Sequence, residues 1–279
     1  MNKGVLLFAN NNGTLNYVKQ AYFLAKRIKK YLNLPTSIVT NINIHDKFPD
    51  YVDVFDNIIH DSVSYNETNK RYHDGDLHDV TAKFYNSNRV NAYNLSPYDE
   101  TIVMDTDYII CNDILKNCFL QQKDFLIYKD AIHIGTHTGT PEFLRVSDTS
   151  VDFYWATIFF FRKTAETKIF FDLLQHIEKN YMHYRSMYQF RTTVFRNDFA
   201  FSIAIHIMNG YQTGDFAGLL PGKKFYAIDK DVLVDIIDDE IKILVQKTNR
   251  FGEYTAVKTK GTNLHIMNKF SLERIIDNE

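Results

Sequence analysis

Two carboxylates one residue apart, Asp105 and Asp107, close the apolar run Thr101-Ile102-Val103-Met104 and are followed at once by Tyr108-Ile109-Ile110. In an α/β protein, a buried strand ending this abruptly sets acidic groups at the carboxyl edge of a sheet, where ligands bind. Two readings stand. Asp at a solvated strand end simply turns the chain, or the pair holds a divalent cation against a diphosphate. In an extended strand both carboxylates share one side, because side chains alternate with a period of two. At a bend they divide, one toward the cation and the other toward a ribose or a water. Mg²⁺ or Mn²⁺ neutralises the charge that grows on a leaving diphosphate, and Mn²⁺ better tolerates an added imidazole.

A second constellation lies late in the chain. His265, between Leu264 and Ile266, either completes a metal shell or is a structural histidine. Lys269 either contacts a diphosphate oxygen or is a surface charge. Lys83, Asn86 and Arg89 recur at intervals of three on a segment with helical periodicity, so one face projects all of them. That face meets either donor phosphate, ribose and sugar hydroxyls, or solvent. Asp198, with Asn197, precedes an apolar helical run. Capping is the commoner role for Asp there; binding sugar hydroxyls or orienting an acceptor is the other. Phe153 and Trp155 open an apolar run whose Phe159-Phe160-Phe161 reads mostly as core.

These residues need a scaffold, and the apolar pattern supplies one. Residues 4–9 read as a first parallel strand, Tyr17–Leu32 as a helix with basic residues near its end, and Thr36–Thr40 as a second strand, which is a βαβ opening. The pattern then predicts a short strand within Val54–His60, a polar loop over 61–79, a helix over Thr81–Tyr93, a turn at Ser96–Asp99 and the strand 101–104. A short helix over Asn112–Phe119 and a strand at Phe125–Tyr128 follow. Asp130–Ser150 is turn-rich, a candidate acceptor loop. Phe153–Phe161 reads as a strand, Thr164–Tyr184 as one long helix and Phe199–Met208 as another. Lys224–Ile228, Val232–Ile237 and Ile241–Val245 are short strands, then comes a basic loop, and Leu264–Lys269 ends the organised region. No internal repeat or linker divides the chain.

A length of 279 residues suits one large α/β domain, and 45% hydrophobic with 24% charged residues is ordinary for a folded protein. The formal net charge of -2 carries no basic excess of the kind that advertises nucleic-acid binding. Cys111 and Cys118 are too few for a disulfide scaffold or a thiolate cluster, which fits a reducing, cytoplasmic setting. The first apolar run is stopped by Asn10-Asn11-Asn12-Gly13, too soon for a secretory signal. Nothing approaches the roughly 18 continuous apolar residues of a transmembrane segment.

In the order of these elements the chain resembles the metal-dependent GT-A glycosyltransferases, especially their glycogenin-like and galactosyltransferase-like branch. Val103-Met104-Asp105-Thr106-Asp107 is similar to the Asp-x-Asp element that follows a buried strand there, and Leu6-Leu7-Phe8-Ala9-Asn10 to the first nucleotide-binding strand. Ala82-Lys83 and Arg89 resemble the segment that approaches the donor. Asp152–Phe161 looks like the acceptor-side strand, Arg196-Asn197-Asp198-Phe199-Ala200 like a later Asp-bearing helix start, and Leu264-His265-Ile266 like the distal metal-histidine segment. The resemblance implies an α/β fold with a mixed central sheet flanked by helices. It implies one domain over 1–279, with a nucleotide-sugar-binding half, 1–110, and an acceptor-binding half, 111–279, that carries the metal-site segment. It also implies a UDP-sugar donor and Mn²⁺ (or Mg²⁺) held by Asp105, Asp107 and His265. Phe8, Ala9, Asn10, Lys83, Asn86, Arg89 and Asp105 would contact the donor. Asp107, Asp198 and Lys269 would serve the transfer itself, with retention of anomeric configuration. The chain departs from the pattern at Asn268, where a Gly is expected, at Lys269, which is closer than usual to His265, and at Trp155-Ala156, which replaces a small polar and glycine pair.

The acceptor expected from this resemblance bears a hydroxyl: a glycan, a lipopolysaccharide precursor, a small metabolite or a hydroxymethylated DNA base. Some viral enzymes of this general fold modify such bases, and a composition rich in Asn, Ile, Lys and Tyr suits an AT-rich bacterial or phage genome. DNA would require a local basic channel. Arg185, Arg191, Arg196, Lys247, Arg250, Lys258 and Lys260 are candidates for it, with Tyr188, Phe190 and Tyr254 to stack on bases. Two other classes stay open. One is a nucleotide-sugar-binding or assembly protein without turnover, which the departures at Trp155 and Lys269 motivate. The other is a nucleotidyltransferase, against which the lack of a Gly-rich nucleotide loop near the N-terminus counts.

Overall fold

The long apolar runs pair side by side, and the rest of the chain is arranged around them. The computed structural model describes residues 2–61, 68–136, 144–147, 151–248 and 250–278. In chain order, β1 (Lys3–Phe8), α1 (Tyr17–Arg27), β2 (Thr36–Thr40), α2 (Ile44–Lys47) and β3 (Asn57–His60) are followed by a hairpin of β4 (Thr68–Asp74) and β5 (His78–Phe84). Then come α3 (Ala92–Leu95), β6 (Glu100–Met104), β7 (Tyr108–Ile109), β8 (Phe125–Tyr128), β9 (Ala131–His133) and β10 (Trp155–Arg162). Three helices follow, α4 (Ala165–Lys179), α5 (Tyr181–Tyr188) and α6 (Asn197–Met208). The chain closes with β11 (Gly218–Leu219), β12 (Lys224–Ala227), β13 (Val232–Ile237), β14 (Glu240–Gln246), β15 (Tyr254–Lys260), β16 (Leu264–Ile266) and α7 (Lys269–Asp277).

The fold is α/β with a mixed central sheet of seven strands in the order β11-β8-β10-β6-β1-β2-β3. β1 pairs in parallel with β2 and β6, whereas β10 is antiparallel to both β6 and β8. β2 and β6 are buried at every position, as are all but the last residue of β10. Strands covered on both faces read as continuous apolar runs, which is why these were predictable. Phe159 and Phe161 of β10 share one face and meet Phe201 of α6 at 4.8 Å and Phe171 of α4 at 4.9 Å between ring centroids. Such pairs each contribute about 1 kcal/mol beyond their buried area.

A smaller sheet of four strands, β7-β16-β12-β9, stands beside the first. The acidic turn is the point where the chain leaves β6 in the large sheet and enters β7 in the small one. β13, β14 and β15 form an antiparallel meander, and α7 packs on β13, β4 and α1.

The structure corrects several expectations. Residues 81–93 are not a helix: Thr81–Phe84 belong to β5, and only a 3-10 turn at Asn88–Asn91 and α3 follow. Val80 and Thr81 are β-branched and pair with Tyr72 and Arg71, so cross-strand partners in the segment read as a loop decide the conformation. The long helix is broken at Asn180 into α4 and α5. The basic loop after β14 contains the seven-residue strand β15, and α7 extends the organised region beyond Lys269. In the expected acceptor loop, β9 is present and residues 137–143 and 148–150 lie outside the described residues.

Candidate active site

The acidic turn is pinned from both sheets. Asp105 N–H donates to Thr157 O of β10 at 2.8 Å, and Ile266 N–H of β16 donates to Asp107 O at 2.8 Å. β16 pairs with β7 so that His265 lies opposite Tyr108, whose ring stacks on the imidazole at 4.9 Å. This register brings a late histidine to the carboxylates. One ligand atom from each of Asp105, Asp107 and His265 lies within 4.8 Å of the others. Two carboxylate oxygens and an imidazole nitrogen are a fitting donor set for Mn²⁺, and for Mg²⁺ with added waters.

Positive groups already converge on these carboxylates. Arg89 forms an ion pair with Asp105, and Lys269 with Asp107. His265 Nε2 lies 3.2 Å from the other Asp107 oxygen. Burial works to raise the Asp107 carboxyl, but Lys269 and His265 outweigh it and hold the group well below the usual carboxylate range. Burial pulls His265 down to about 4, with Asp107 acting against the shift, so the imidazole is neutral at pH 7, the form that binds metals. Behind it, Lys224 Nζ lies 3.2 Å from His265 Nδ1. Burial draws that amine down to about 7 despite the attraction of Asp198 and Asp107.

The residues border a cleft of about 380 Å³. Its floor carries Phe8 of β1, Asp105, Asp107 and Thr157, and one wall is the hairpin, through Lys70, Arg71, Tyr72 and Phe84. Lys70 lies over the rings of Tyr72 and Phe84 at 5.4 and 5.3 Å. The Tyr72 hydroxyl meets that of Tyr17 at 3.0 Å, and burial raises both phenols, so they stay protonated. The other wall is β10 and the start of α6: Trp155, Asn197 and Asp198.

Of the residues singled out from sequence, Asp105, Asp107, His265, Lys269, Arg89, Asn86, Phe8 and Asp198 all line this cleft. Lys83 does not; its β5 position pairs with Asn69, and the cations from this region are Lys70 and Arg71 instead. Lys83, Asn86 and Arg89 therefore share no helical face. Ala9 and Asn10 do not line it either, and both are fully buried. Asn86 is a clamp on Asn10: it accepts from Asn10 N–H at 2.6 Å and donates to Asn10 O at 3.0 Å. Asp198 is not a cap, because it lies in the first turn of α6, where Oδ1 accepts from Ala156 N–H at 2.9 Å and Oδ2 from Arg196 at 3.0 Å. Asn268 is the cap of α7, accepting from Ser271 N–H, and this places Lys269 at the first helical position, turned onto Asp107.

No protein-family model matches the chain, and no curated protein matches its sequence. The similar solved structures include glycosyltransferases. One is GlyE of Streptococcus pneumoniae TIGR4, with 12% identity, TM-score 0.44, 79% of this chain covered and 45% of that one. This chain thus spans less than half the length of GlyE. Mouse xyloside xylosyltransferase 1 has 10% identity and TM-score 0.45, with 79% of this chain and 85% of that chain covered. The galactosyltransferase LgtC, solved with donor and acceptor sugar analogs, has 10% identity and TM-score 0.44, with 81% and 73% covered.

Sequence reading missed Lys70, Arg71, Tyr72, Tyr17 and Lys224. The hairpin residues sit in a polar stretch with no apolar period, and a buried lysine leaves no periodic signal at all. The DNA candidates fare differently from their expected role. Phe190 is buried, Tyr188 is largely buried, and Tyr254 is half-buried with its hydroxyl accepting from Asp76 N–H at 3.0 Å. No helix of the described residues is long and apolar enough to cross a membrane.

Proposed function

We propose that the chain is a metal-dependent glycosyltransferase that moves a sugar from a nucleotide-diphosphate donor to a hydroxyl acceptor. The observation that carries this reading is the convergence of Asp105, Asp107 and His265 at the edge of the central sheet. A divalent cation held there, Mn²⁺ or Mg²⁺, supplies charge neutralisation to a departing diphosphate. Lys269 and Arg89, already at the carboxylates, face the same negative charge, and Lys70 and Arg71 line the route to it. Tyr17, Tyr72 and Phe8 form an aromatic and hydroxyl surface suited to a nucleoside. Asp198 and Asn197, beside Trp155, present a carboxylate and an amide where a donor sugar would lie. Among the described residues the buried Asn197 Oδ1 has no hydrogen-bond partner, which suits it to accept from a sugar hydroxyl. We take the donor to be a UDP-sugar, the transfer to be retaining, and the acceptor to be a glycan or a hydroxymethylated DNA base.

The test is a panel of isotope-labelled nucleotide sugars with Mn²⁺ or Mg²⁺, scoring donor hydrolysis and transfer to glycans, small hydroxyl compounds and hydroxymethylated DNA. Wild type should turn over one donor, and Asp107→Ala should lose at least about 100-fold of that rate, the scale of a lost charge-stabilising group. Folded wild-type protein that binds neither metal nor any donor would remove the proposal.

A further inference from the structure

Lys224 has surroundings that stability alone does not explain. It opens β12, one residue before Tyr226's neighbour Phe225, on the strand that pairs with β16 in the register Tyr226 opposite His265. The residue is 2% exposed. Its amine lies over Trp155 at 4.8 Å, Tyr108 at 5.6 Å and Tyr226 at 5.7 Å. Among the described residues no carboxylate pairs with it, and its hydrogen bond is to His265 Nδ1 at 3.2 Å. An amine enclosed by rings and without a counter-ion is costly, so a long apolar side chain would fill this place more stably.

Its partner explains the choice. The stack on Tyr108, with 10° between the planes, sets the plane of the His265 ring. A stack does not distinguish the two orientations related by a half-turn of the ring, one of which takes Nε2 away from Asp107. The bond to Nδ1 does distinguish them: with Nε2 facing a cation the ring hydrogen sits on Nδ1, and Lys224, as the free amine that its enclosure by rings favours, accepts it. We propose that Lys224 is a positioning residue that holds the His265 ring with Nε2 toward Asp105 and Asp107, in the orientation that takes a divalent cation. The inference rests on the reading of those three residues as a cation site. Outer partners of ligating histidines commonly matter in this way, and their loss weakens metal binding by about 10–100-fold.

Mn²⁺ binding to the purified, metal-free chain tests it, read from the free-ion signal in electron paramagnetic resonance with no substrate present. Lys224→Met keeps length and removes the bond. It should weaken Mn²⁺ binding at least about tenfold while melting no lower than wild type. Lys224→Gln, which keeps a polar group on a shorter arm, should recover part of the affinity. In a His265→Ala background, Lys224→Met should cost nothing further. Equal Mn²⁺ affinity in wild type and Lys224→Met overturns the proposal. So does an equal loss with and without His265, or a Lys224→Met chain that melts well below wild type, since either marks a general structural role. Wild type that binds no Mn²⁺ is a different failure: it removes the cation site itself.

Discussion

Asp107 is 2% exposed and is contacted by two basic side chains, so its charge is balanced inside the protein before any ligand arrives. The arrangement is acid-sensitive, and the sign follows from the shifts. His265 is held near 4 in the fold against an ordinary 6.5. Between those values the unfolded chain takes up a proton that the folded chain refuses, so stability falls as pH drops from about 6.5 to about 4, by roughly 3 kcal/mol in all. Below that window Asp107 adds to the loss, because its depressed carboxyl stabilises the fold only while ionised. Urea midpoints measured from pH 7 to pH 4 should therefore fall, and His265→Gln should flatten the slope between pH 6.5 and pH 4. An unchanged slope in that variant would assign the acid sensitivity elsewhere.

Two short elements shape the cleft around the acidic turn. Asn268 caps α7 and also donates to Asp231 O at 2.8 Å and to Asp74 at 3.2 Å, all from a fully buried position. Asn268→Ala should cost about 2 kcal/mol, a lost cap together with orphaned buried groups, and thermal unfolding would show it. The hairpin is held at its tip, where Asp76 accepts from Gln246 at 2.8 Å and from Gly252 N–H at 2.9 Å. Asp76→Ala should loosen the wall bearing Lys70 and Tyr72 and weaken nucleotide-sugar binding about tenfold, a cost of about 1.4 kcal/mol. Mn²⁺ affinity should stay within about twofold, because β6 and β16 do not depend on that tie; paired calorimetric titrations would separate the two effects. These elements also mark the limit of legibility. β1, β2, β6 and the acidic turn were readable because both faces of the strands are covered and an apolar run stops at charge. β4, with Asn69, Lys70 and Arg71 exposed, looks like a loop until β5 is laid beside it. Capping, one of the two roles open to Asp198 from sequence, falls away because its oxygen is engaged by the backbone of a strand distant in sequence.

At the scale of the molecule, the division of residues at 110 and 111 follows the order of motifs and not the hydrogen bonding. β10 lies between β6 and β8, so the large sheet draws its interior from both sides of that boundary, and β7 is completed by β16. A fragment of residues 1–110 would leave β6 with an apolar edge and should fail to give a cooperative urea transition, whereas the full chain should give one; circular dichroism would distinguish them. The fold class was accessible from sequence because the strand and helix periods alternate along the first hundred or so residues. The second sheet was not, since its strands are short and their pairing joins segments distant in sequence.

The acidic turn has its backbone tied to β10 on one side and to β16 on the other. A cation there can be gripped only by a chain whose two sheets have docked, so binding reports completed folding. At a hundredfold excess over its dissociation constant, such an ion would stabilise the native state by about 2.7 kcal/mol. Folded chains would then open less often and meet proteases less where the metal is plentiful, so metal starvation would be felt as a shorter lifetime of the protein.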